Sequence, residues 1–413
     1  MRSLRMFSLG AIFVAFAFLV GCGGGSSSSS SSSSGGTTPT VQTIATSGTN
    51  VAPISVNGGP PGIDYEDAAF ASVTVCVPGT STCQTVDNIL VDTGSSGLRI
   101  LSSALTLPLP QQTSGGNPVV ECFPFVSGYT WGPVQTADVE MASEKASSVP
   151  IQVLSDTDYT APTACTDTGT SSDTLANLGA NGIVGVGLFA QDCGSYCQQV
   201  QTAAGDLNLY YECSSSTNCQ PIGEGLAQQV PNPVSLFATD NNGVILELPA
   251  VSGGQEATLS GSLVFGIGTQ SNNALGGATI YTADEYGNFT TTYSGTAYPD
   301  SFIDSGSNGY YFLDSSLAGI TECGDYVGFY CPATTQNFSA TNQGLNNASG
   351  TVSFSIANTD TLFEVNDFAY SELGGVSGTA APYYFDWGLP FFFGRNVYTG
   401  LQSATYPNGY WAY

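Results

Sequence analysis

Ten residues in the first quarter of the chain decide the fold: Val91-Asp92-Thr93-Gly94-Ser95-Ser96-Gly97-Leu98-Arg99-Ile100. They place an aspartate and a Gly/Ser turn directly after an apolar strand end. The same order of residue types returns as Phe302-Ile303-Asp304-Ser305-Gly306-Ser307-Asn308-Gly309-Tyr310-Tyr311. One such turn is a weak signal in a chain with 51 glycines. Two copies with a glycine at the same offset predict a duplicated unit.

An apolar-apolar-glycine element follows each turn at a nearly constant distance. Gly185 comes 93 residues after Asp92, and Gly394 comes 90 residues after Asp304. Two halves with this layout predict two β-lobes related by a pseudo-twofold axis. In that arrangement Gly185 and Gly394 are expected to support the two aspartate turns from behind.

The chemistry of the two turns depends on whether the lobes bring Asp92 and Asp304 together. Two carboxyl groups a few ångströms apart share one proton, because both cannot ionise cheaply. The ionised member can activate a water while the protonated member polarises a peptide carbonyl. Each turn alone fits an ordinary Asp-x-Gly turn, whereas the matched pair favours a catalytic dyad. The supporting residues expected around the dyad are Thr93, Gly94, Ser95, Ser305, Gly306 and Ser307.

The composition limits what else the chain can do. Its 413 residues carry 5 Lys+Arg against 32 Asp+Glu, a net charge of −27, and no histidine. Such a charge excludes binding to nucleic acid, and the lack of histidine excludes Ser-His-Asp and Cys-His catalysis. The predicted dyad needs neither metal nor cofactor. The acidic balance fits either service in an acidic medium or simple solubility.

The N-terminal segment predicts export. Residues 1–21 combine two arginines, an apolar run and the ending Leu19-Val20-Gly21 before Cys22. This pattern resembles a lipoprotein signal peptide whose Cys22 is lipidated; a plain secretory signal is the alternative. Residues 22–50, rich in Gly and Ser, are expected to form a tether. We therefore expect a monomer anchored to a membrane of the bacterial cell envelope, with the leaflet left open.

The remaining cysteines predict disulfides. An even number in an exported chain suggests five bridges. Neighbouring pairs are the simplest scheme, although a crossed pairing among the four cysteines between 193 and 219 competes with it. The ten candidates are Cys76, Cys83, Cys122, Cys165, Cys193, Cys197, Cys213, Cys219, Cys323 and Cys331.

Taken together, these motifs resemble the pepsin-like aspartic proteases. The core of the first catalytic signature is matched by Ile89-Leu90-Val91-Asp92-Thr93-Gly94-Ser95-Ser96, and the second by Asp304-Ser305-Gly306-Ser307. The likeness runs in order over residues 57–413. Short strands broken by Gly, Asn and Pro agree with its all-β fold of two lobes and a central cleft. The export signal and the second turn also resemble those of an uncharacterised bacterial lipoprotein family with DTGSSGLR and DSGSNG motifs.

The resemblance implies two lobes, residues 51–232 and 233–413, with a polypeptide substrate between them. It implies an aspartic endopeptidase that uses Asp92 and Asp304 at acidic pH. The alternatives are a catalytically inactive binding protein of the cell envelope and a purely structural lipoprotein. The flap hairpin is shorter than in the family, and its candidate aromatics, Tyr129 and Trp131, fit hairpin packing equally well. Arg99, where the family often has an aromatic, is expected to alter the first-lobe subsite.

Overall fold

The computed structural model describes residues 42–155, 157–203, 205–378 and 383–413. The expected signal peptide, Cys22 and most of the tether lie outside these residues. Within the described part of the chain, no helix is both long and apolar enough to cross a membrane.

The described chain is built from strands. Those of the first half are β1 Val51–Val56, β2 Ala69–Cys76, β3 Cys83–Asp92, β4 Ser96–Leu101, β5 Thr113–Ser114, β6 Asn117–Phe125, β7 Gly128–Met141, β8 Glu144–Leu154, β9 Gly182–Val186, β10 Tyr210–Ser215 and β11 Asn218–Pro221. Those of the second half are β12 Gly243–Leu248, β13 Gln255–Glu256, β14 Leu259–Phe265, β15 Ile280–Thr282, β16 Phe289–Tyr293, β17 Thr296–Ile303, β18 Tyr310–Phe312, β19 Gln336–Gln343, β20 Ser349–Ile356, β21 Ala369–Tyr370, β22 Gly374–Gly375, β23 Phe385–Trp387, β24 Arg395–Gly400 and β25 Tyr410–Ala412.

Helices among the described residues are single turns. The α-helices are α1 Thr163–Thr166, α2 Leu175–Leu178, α3 Ser315–Ala318 and α4 Thr359–Leu362, and the 3₁₀ turns are Gly194–Gln198, Pro233–Leu236, Ser252–Gly254 and Leu389–Phe391. The Gln-, Cys- and Ala-containing residues 190–230 predict a helix over 192–203 and another over 225–230, but the structure has only the 3₁₀ turn Gly194–Gln198 in these two ranges, so this prediction is wrong. A disulfide between Cys193 and Cys197 ties the first segment into its 3₁₀ turn. In the second, the Gln229 side chain donates to the carbonyl of Glu224, so a side chain satisfies this backbone group.

One large sheet runs through both halves of the chain. Its order is β11-β10-β6-β7-β8-β4-β9-β3-β2-β1-β14-β12-β24-β25-β15. The halves join where β1 pairs antiparallel with β14 over six residues, from Val51 opposite Val264 to Val56 opposite Leu259. A second sheet, β20-β19-β16-β17-β23-β18-β22, belongs to the second half alone. The fold is therefore all-β and bilobal, with a shared sheet between the lobes.

Each aspartate turn follows a strand that pairs with the middle strand of a three-strand unit. In the first lobe β3 pairs in parallel with β9, and β4 returns antiparallel on the other side of β9. In the second lobe β17 pairs in parallel with β23, and β18 returns antiparallel on its other side. The two lobes thus repeat one three-strand arrangement around their aspartates. Apolar residues before each turn, such as Val91 and Ile303, are fully buried and fix its position.

Within the described part of the chain, five disulfides form between neighbouring cysteines, and the crossed alternative does not occur there. The longest link, Cys122–Cys165, spans 43 residues and ties β6 to the one-turn helix α1. The other four each span eight residues or fewer: Cys76–Cys83, Cys193–Cys197, Cys213–Cys219 and Cys323–Cys331.

Candidate active site

Asp92 is held by its own turn. Its Oδ1 accepts hydrogen bonds from the backbone N–H groups of Gly94, at 2.8 Å, and Ser95, at 3.2 Å. Its Oδ2 accepts from the Ser95 hydroxyl at 2.5 Å. The carboxyl group is almost fully buried, whereas Gly94 beside it is exposed to solvent. A buried carboxylate with three local donors is fixed in orientation while the turn stays open on one side.

Asp304 repeats this arrangement in the second lobe. Its Oδ1 accepts from the Gly306 N–H at 2.7 Å, and its Oδ2 accepts from the Ser307 hydroxyl at 3.0 Å. The side chain of Asp304 is partly buried, and Gly306 and Ser307 are partly exposed. The second carboxyl group is therefore held by the same two types of donor as the first, a glycine N–H and a serine hydroxyl.

Two hydroxyls cross between the turns and join the lobes. The Thr93 hydroxyl accepts from the Ser305 N–H at 2.9 Å and donates to the carbonyl of Ile303 at 3.3 Å. In return, the Ser305 hydroxyl accepts from the Thr93 N–H at 3.1 Å and donates to the carbonyl of Val91 at 2.7 Å. Because both residues are buried, these four bonds lock the two turns together out of water.

This lock brings the two carboxyl groups face to face. A methyl group on Gly94 would lie 2.6 Å from Cγ of Asp304, and one on Gly306 would lie 2.9 Å from Cγ of Asp92. Only glycine at these places leaves room for the opposite carboxyl group. Each carboxyl group therefore packs against the glycine of the opposite turn.

The electrostatics favour one proton on the pair. Burial raises the pKa of Asp304 well above its usual range, and the negative charges of Asp92 and Asp386 raise it further. The Gly306 N–H opposes these effects. A shared proton between two close carboxyl groups is what a general acid and base pair requires.

Behind Asp304 the structure places an element that the sequence did not predict. Ile303 pairs with Trp387, so Asp304 lies beside Gly388, as Asp92 lies beside Gly185 in the first lobe. The predicted counterpart, Gly394, instead turns the chain into β24 with a φ of +77° and donates its N–H to Leu248. A methyl group on Gly388 would lie 2.1 Å from the carbonyl oxygen of Gly309. Gly388 therefore supports the second turn, and the assignment of Gly394 was wrong.

The same strand contributes a third acid, Asp386, which sequence reasoning missed. Its Oδ2 lies 2.6 Å from the Ser307 hydroxyl, and its side chain is 7% exposed. An acidic residue directly before an apolar-glycine pair is the only sequence signal for it. The predicted pattern of two apolar residues before a glycine does not match Asp386-Trp387-Gly388, because Asp386 is acidic.

The two flap candidates lie inside the β6–β7 hairpin. Trp131 is fully buried, donates from Nε1 to the carbonyl of Tyr159 at 2.6 Å and packs its ring edge-on against Tyr211. Tyr129 is buried in the same cluster. Phe125, at the end of β6, is partly buried and packs against the core cluster that contains Leu90, the strand residue two before Asp92.

Arg99 is buried in a charge cluster of the first lobe. Its Nη2 pairs with Glu121 at 2.8 Å and with Asp192 at 3.0 Å, and its guanidinium lies 3.8 Å from the centre of the Phe123 ring. Burial, followed by the charge of Glu121, raises the pKa of Asp192 well above normal. Arg99 thus ties β4 to β6.

Comparison with known proteins places this fold among the pepsin-like aspartic proteinases. A solved structure described as the aspartic proteinase from Irpex lacteus matches with a TM-score of 0.53 at 15% identity, covering 88% of this chain and 96% of that one. At this identity the likeness establishes the fold.

The chain itself belongs to the family DUF3443, described as proteins of unknown function, whose model matches residues 46–413. None of the curated proteins matches the chain.

Proposed function

We propose that this protein is an aspartic endopeptidase that hydrolyses peptide bonds with a water activated by Asp92 and Asp304. The observation that carries the proposal is the facing pair of carboxyl groups, each held by its own Asp-x-Gly-Ser turn and each packed against the other turn's glycine. The cross-braced hydroxyls of Thr93 and Ser305 keep that geometry fixed. Preorganised groups of this kind are what acid–base catalysis requires.

In the proposed reaction, the ionised carboxylate takes a proton from the water as its oxygen attacks the peptide carbonyl carbon. The protonated carboxyl group donates its proton to the carbonyl oxygen. As the tetrahedral intermediate collapses, the C–N bond breaks, the carboxyl proton passes to the leaving nitrogen, and a hydroxyl proton of the intermediate passes to the other carboxylate, which restores the one-proton pair. Because the pKa of Asp304 is raised, the one-proton state extends to higher pH than for an ordinary aspartate, so activity is expected to extend upward from the acidic range.

The substrate would be an extended polypeptide in the cleft that the pepsin-like fold provides between its lobes. A lipid on Cys22, added when the expected signal peptide is removed, would hold the enzyme on a membrane of the cell envelope. This location rests on residues 1–22 of the sequence alone.

The deciding experiment is cleavage of an unfolded protein from pH 2 to 7, with and without pepstatin. Asp92→Asn and Asp304→Asn are each expected to lower kcat/KM by about 100-fold or more, because each removes one partner of the proton exchange. Glu224→Gln is the matched control, since Glu224 is a buried acid bonded to Gln112 of the first lobe rather than to the dyad.

Two results would overturn the proposal: no cleavage at any pH, or full activity in either aspartate variant. Binding of peptides or pepstatin without cleavage would favour the alternative, an inactive pepsin-like binding protein.

A further inference from the structure

The second lobe holds a carboxyl group that the proposed mechanism does not use. Asp386 Oδ2 lies 2.6 Å from the Ser307 hydroxyl, and that hydroxyl lies 3.0 Å from Asp304 Oδ2. Asp386 Oδ1 is buried and has no hydrogen-bond partner among the described residues. The three side chains therefore form a continuous chain that ends at the dyad.

The first lobe shows that the strand geometry does not require this acid. Leu90 pairs with Ile183 there, and the equivalent pair in the second lobe is Phe302 with Asp386. At the place of Asp386 the first lobe thus has an isoleucine. Ser95, the equivalent of Ser307, donates to its own aspartate. Asp386 is therefore an acid that the first lobe lacks at the equivalent place.

The number of protons available shows that one carboxyl group in this hydrogen-bonded series is protonated. A serine hydroxyl has one proton to donate, yet Ser307 contacts a carboxyl oxygen on each side. One of the two contacts must therefore use a proton carried by a carboxyl group. Asp386 is the better carrier, because a buried anion with an unpartnered oxygen is costly. In agreement, burial raises the pKa of Asp386 to about 8, helped by the charge of Asp92 and opposed by the Ser307 hydrogen bond.

We propose that Asp386 is a proton reservoir for the dyad, a positioning residue that acts on Asp304 through Ser307. The inference rests on the proposed function and deepens it. In the transfer, the O–H bond of Asp386 breaks and its proton goes to Ser307 Oγ, while the original Ser307 proton goes to Asp304 Oδ2. Asp386 ends as a carboxylate and Asp304 as the acid, so one proton moves and the total charge is unchanged.

The groups around Asp386 favour retention of the proton. Asp304 and Asp92 face Asp386 from the dyad, Tyr311 lies opposite it on β18, and Tyr384 lies two residues before it. Tyr311 directs its hydroxyl to Asn308. None of the ion pairs among the described residues involves Asp386 or the dyad. A negative charge on Asp386 would raise the proton affinity of Asp304. It would also attract the Ser307 hydroxyl proton, so that Ser307 would donate to Asp386 rather than to Asp304. Both effects keep the dyad in its one-proton state as the pH rises.

The test compares wild type with Asp386→Asn, which keeps the shape, and Asp386→Ile, which gives the second lobe the residue of the first. We expect the alkaline limb of the kcat/KM profile to move down by about one pH unit in both variants, a roughly tenfold loss at a pH on that limb. The acid limb should stay in place. Glu224→Gln is the control, because burial raises the pKa of Glu224 to about 7 without any contact to Ser307 or the dyad.

Infrared spectra give a readout that does not depend on activity. At pH 6, Asp386→Asn should lose one carboxylic-acid carbonyl band that wild type shows. The band of Asp304, assigned with Asp304→Asn, should titrate at lower pH in Asp386→Ile than in wild type. These shifts without any cleavage would support the reservoir and overturn the proposed function.

Cleavage with an unmoved alkaline limb would overturn the reservoir and leave the endopeptidase standing. A wild-type spectrum identical to that of Asp386→Asn at pH 6 would also overturn it. Should both Asp386 variants fail to fold, Asp386→Ser removes the acid and keeps a hydroxyl beside Ser307. It is then expected to move the Asp304 titration in the same direction, and an unmoved titration would overturn the reservoir.

Discussion

Thr93 and Ser305 are the residues through which each lobe fixes the other's catalytic turn. Thr93→Val would leave the buried Ser305 N–H without its acceptor, now 2.9 Å away. We expect the free energy of unfolding to fall by about 1–3 kcal/mol, the cost of a buried unsatisfied donor. Urea unfolding measures it. Thr93→Ser keeps the hydroxyl and should stay near wild type; an equal loss in both variants would show that the methyl group matters instead.

Arg99 shows why a motif position does not reveal its role. The sequence predicted a subsite residue, and the structure places Arg99 fully buried between Glu121 and Asp192. Arg99→Met would leave two buried carboxyl groups without their cation, so we expect a loss of about 3–5 kcal/mol in the free energy of unfolding. Lys145→Met removes the ion pairs to Asp138 and Glu140, but because the Lys145 side chain is 42% exposed it should cost far less. Equal losses in the two variants would contradict this account.

Contacts between residues close in sequence were predictable, whereas contacts that depend on the order of strands in the sheet were not. The contacts of Asp92 with Gly94 and Ser95 follow from neighbours in one turn, so the sequence contains them. The contact of Ser307 with Asp386 joins residues 79 positions apart. It exists because β23 lies between β17 and β18, and no local pattern encodes that order.

At the scale of elements, the sequence correctly predicted a supporting glycine behind the second aspartate turn but assigned it to the wrong residue; the glycine there is Gly388. The offsets of 93 and 90 residues suggested Gly394, but Gly388 follows Asp304 by 84 residues. The duplication was therefore predictable from the sequence. The strand β23 was not, because it contains Asp386 and does not match a pattern of paired apolar residues.

Substitution distinguishes the two glycines. Gly388→Ala would place a methyl group 2.1 Å from the carbonyl of Gly309, so we expect loss of the folded second lobe or of most activity. Gly394→Ala has 3.3 Å to Ala250 and meets only the strain of a positive φ, about 1–2 kcal/mol. Thermal unfolding and cleavage of both variants check this. Greater damage from Gly394→Ala would restore the original assignment.

At the scale of the whole molecule, two lobes were predictable and their junction was not. The repeated turns imply duplication, whereas β1 carries no motif that assigns it to β14 of the other lobe. A strand early in the chain can pair with any free edge of matching length, and tertiary packing chooses among them. The lobe boundary expected between residues 232 and 233 stays a prediction; a 3₁₀ turn begins at Pro233.

The buried acids of the whole molecule also determine how its stability depends on pH. Burial raises the pKa of Glu224 to about 7 and that of Asp386 to about 8, and it raises the pKa of Asp67 and Asp192 as well. A raised pKa means that the folded state binds more protons than the unfolded chain between roughly pH 4 and the folded value. Stability is therefore present at low pH and is lost as the pH rises through this window.

Two other carboxyl groups act in the opposite sense at lower pH. Hydrogen bonds from Ser316 and Tyr383 lower the pKa of Asp314 to about 2. Burial of Asp138 is outweighed by N–H donors from Ser148 and Gly79, so its pKa is also lowered. Folded carboxylates of this kind stabilise above the unfolded pKa, and their contribution is lost as the pH falls through the folded value.

The free energy of unfolding is therefore expected to be largest near pH 4–5 and to fall toward pH 8. The slope is roughly 1.4 kcal/mol per pH unit for each extra proton held by the folded state. Denaturant titrations from pH 2 to 8 measure it, and Glu224→Gln should flatten the fall between pH 5 and 7. An acid optimum with a flatter slope in the variant would mean that buried protonated acids suit the fold to acidic surroundings. Sharp unfolding below pH 4 would instead leave solubility as the reason for the acidic composition.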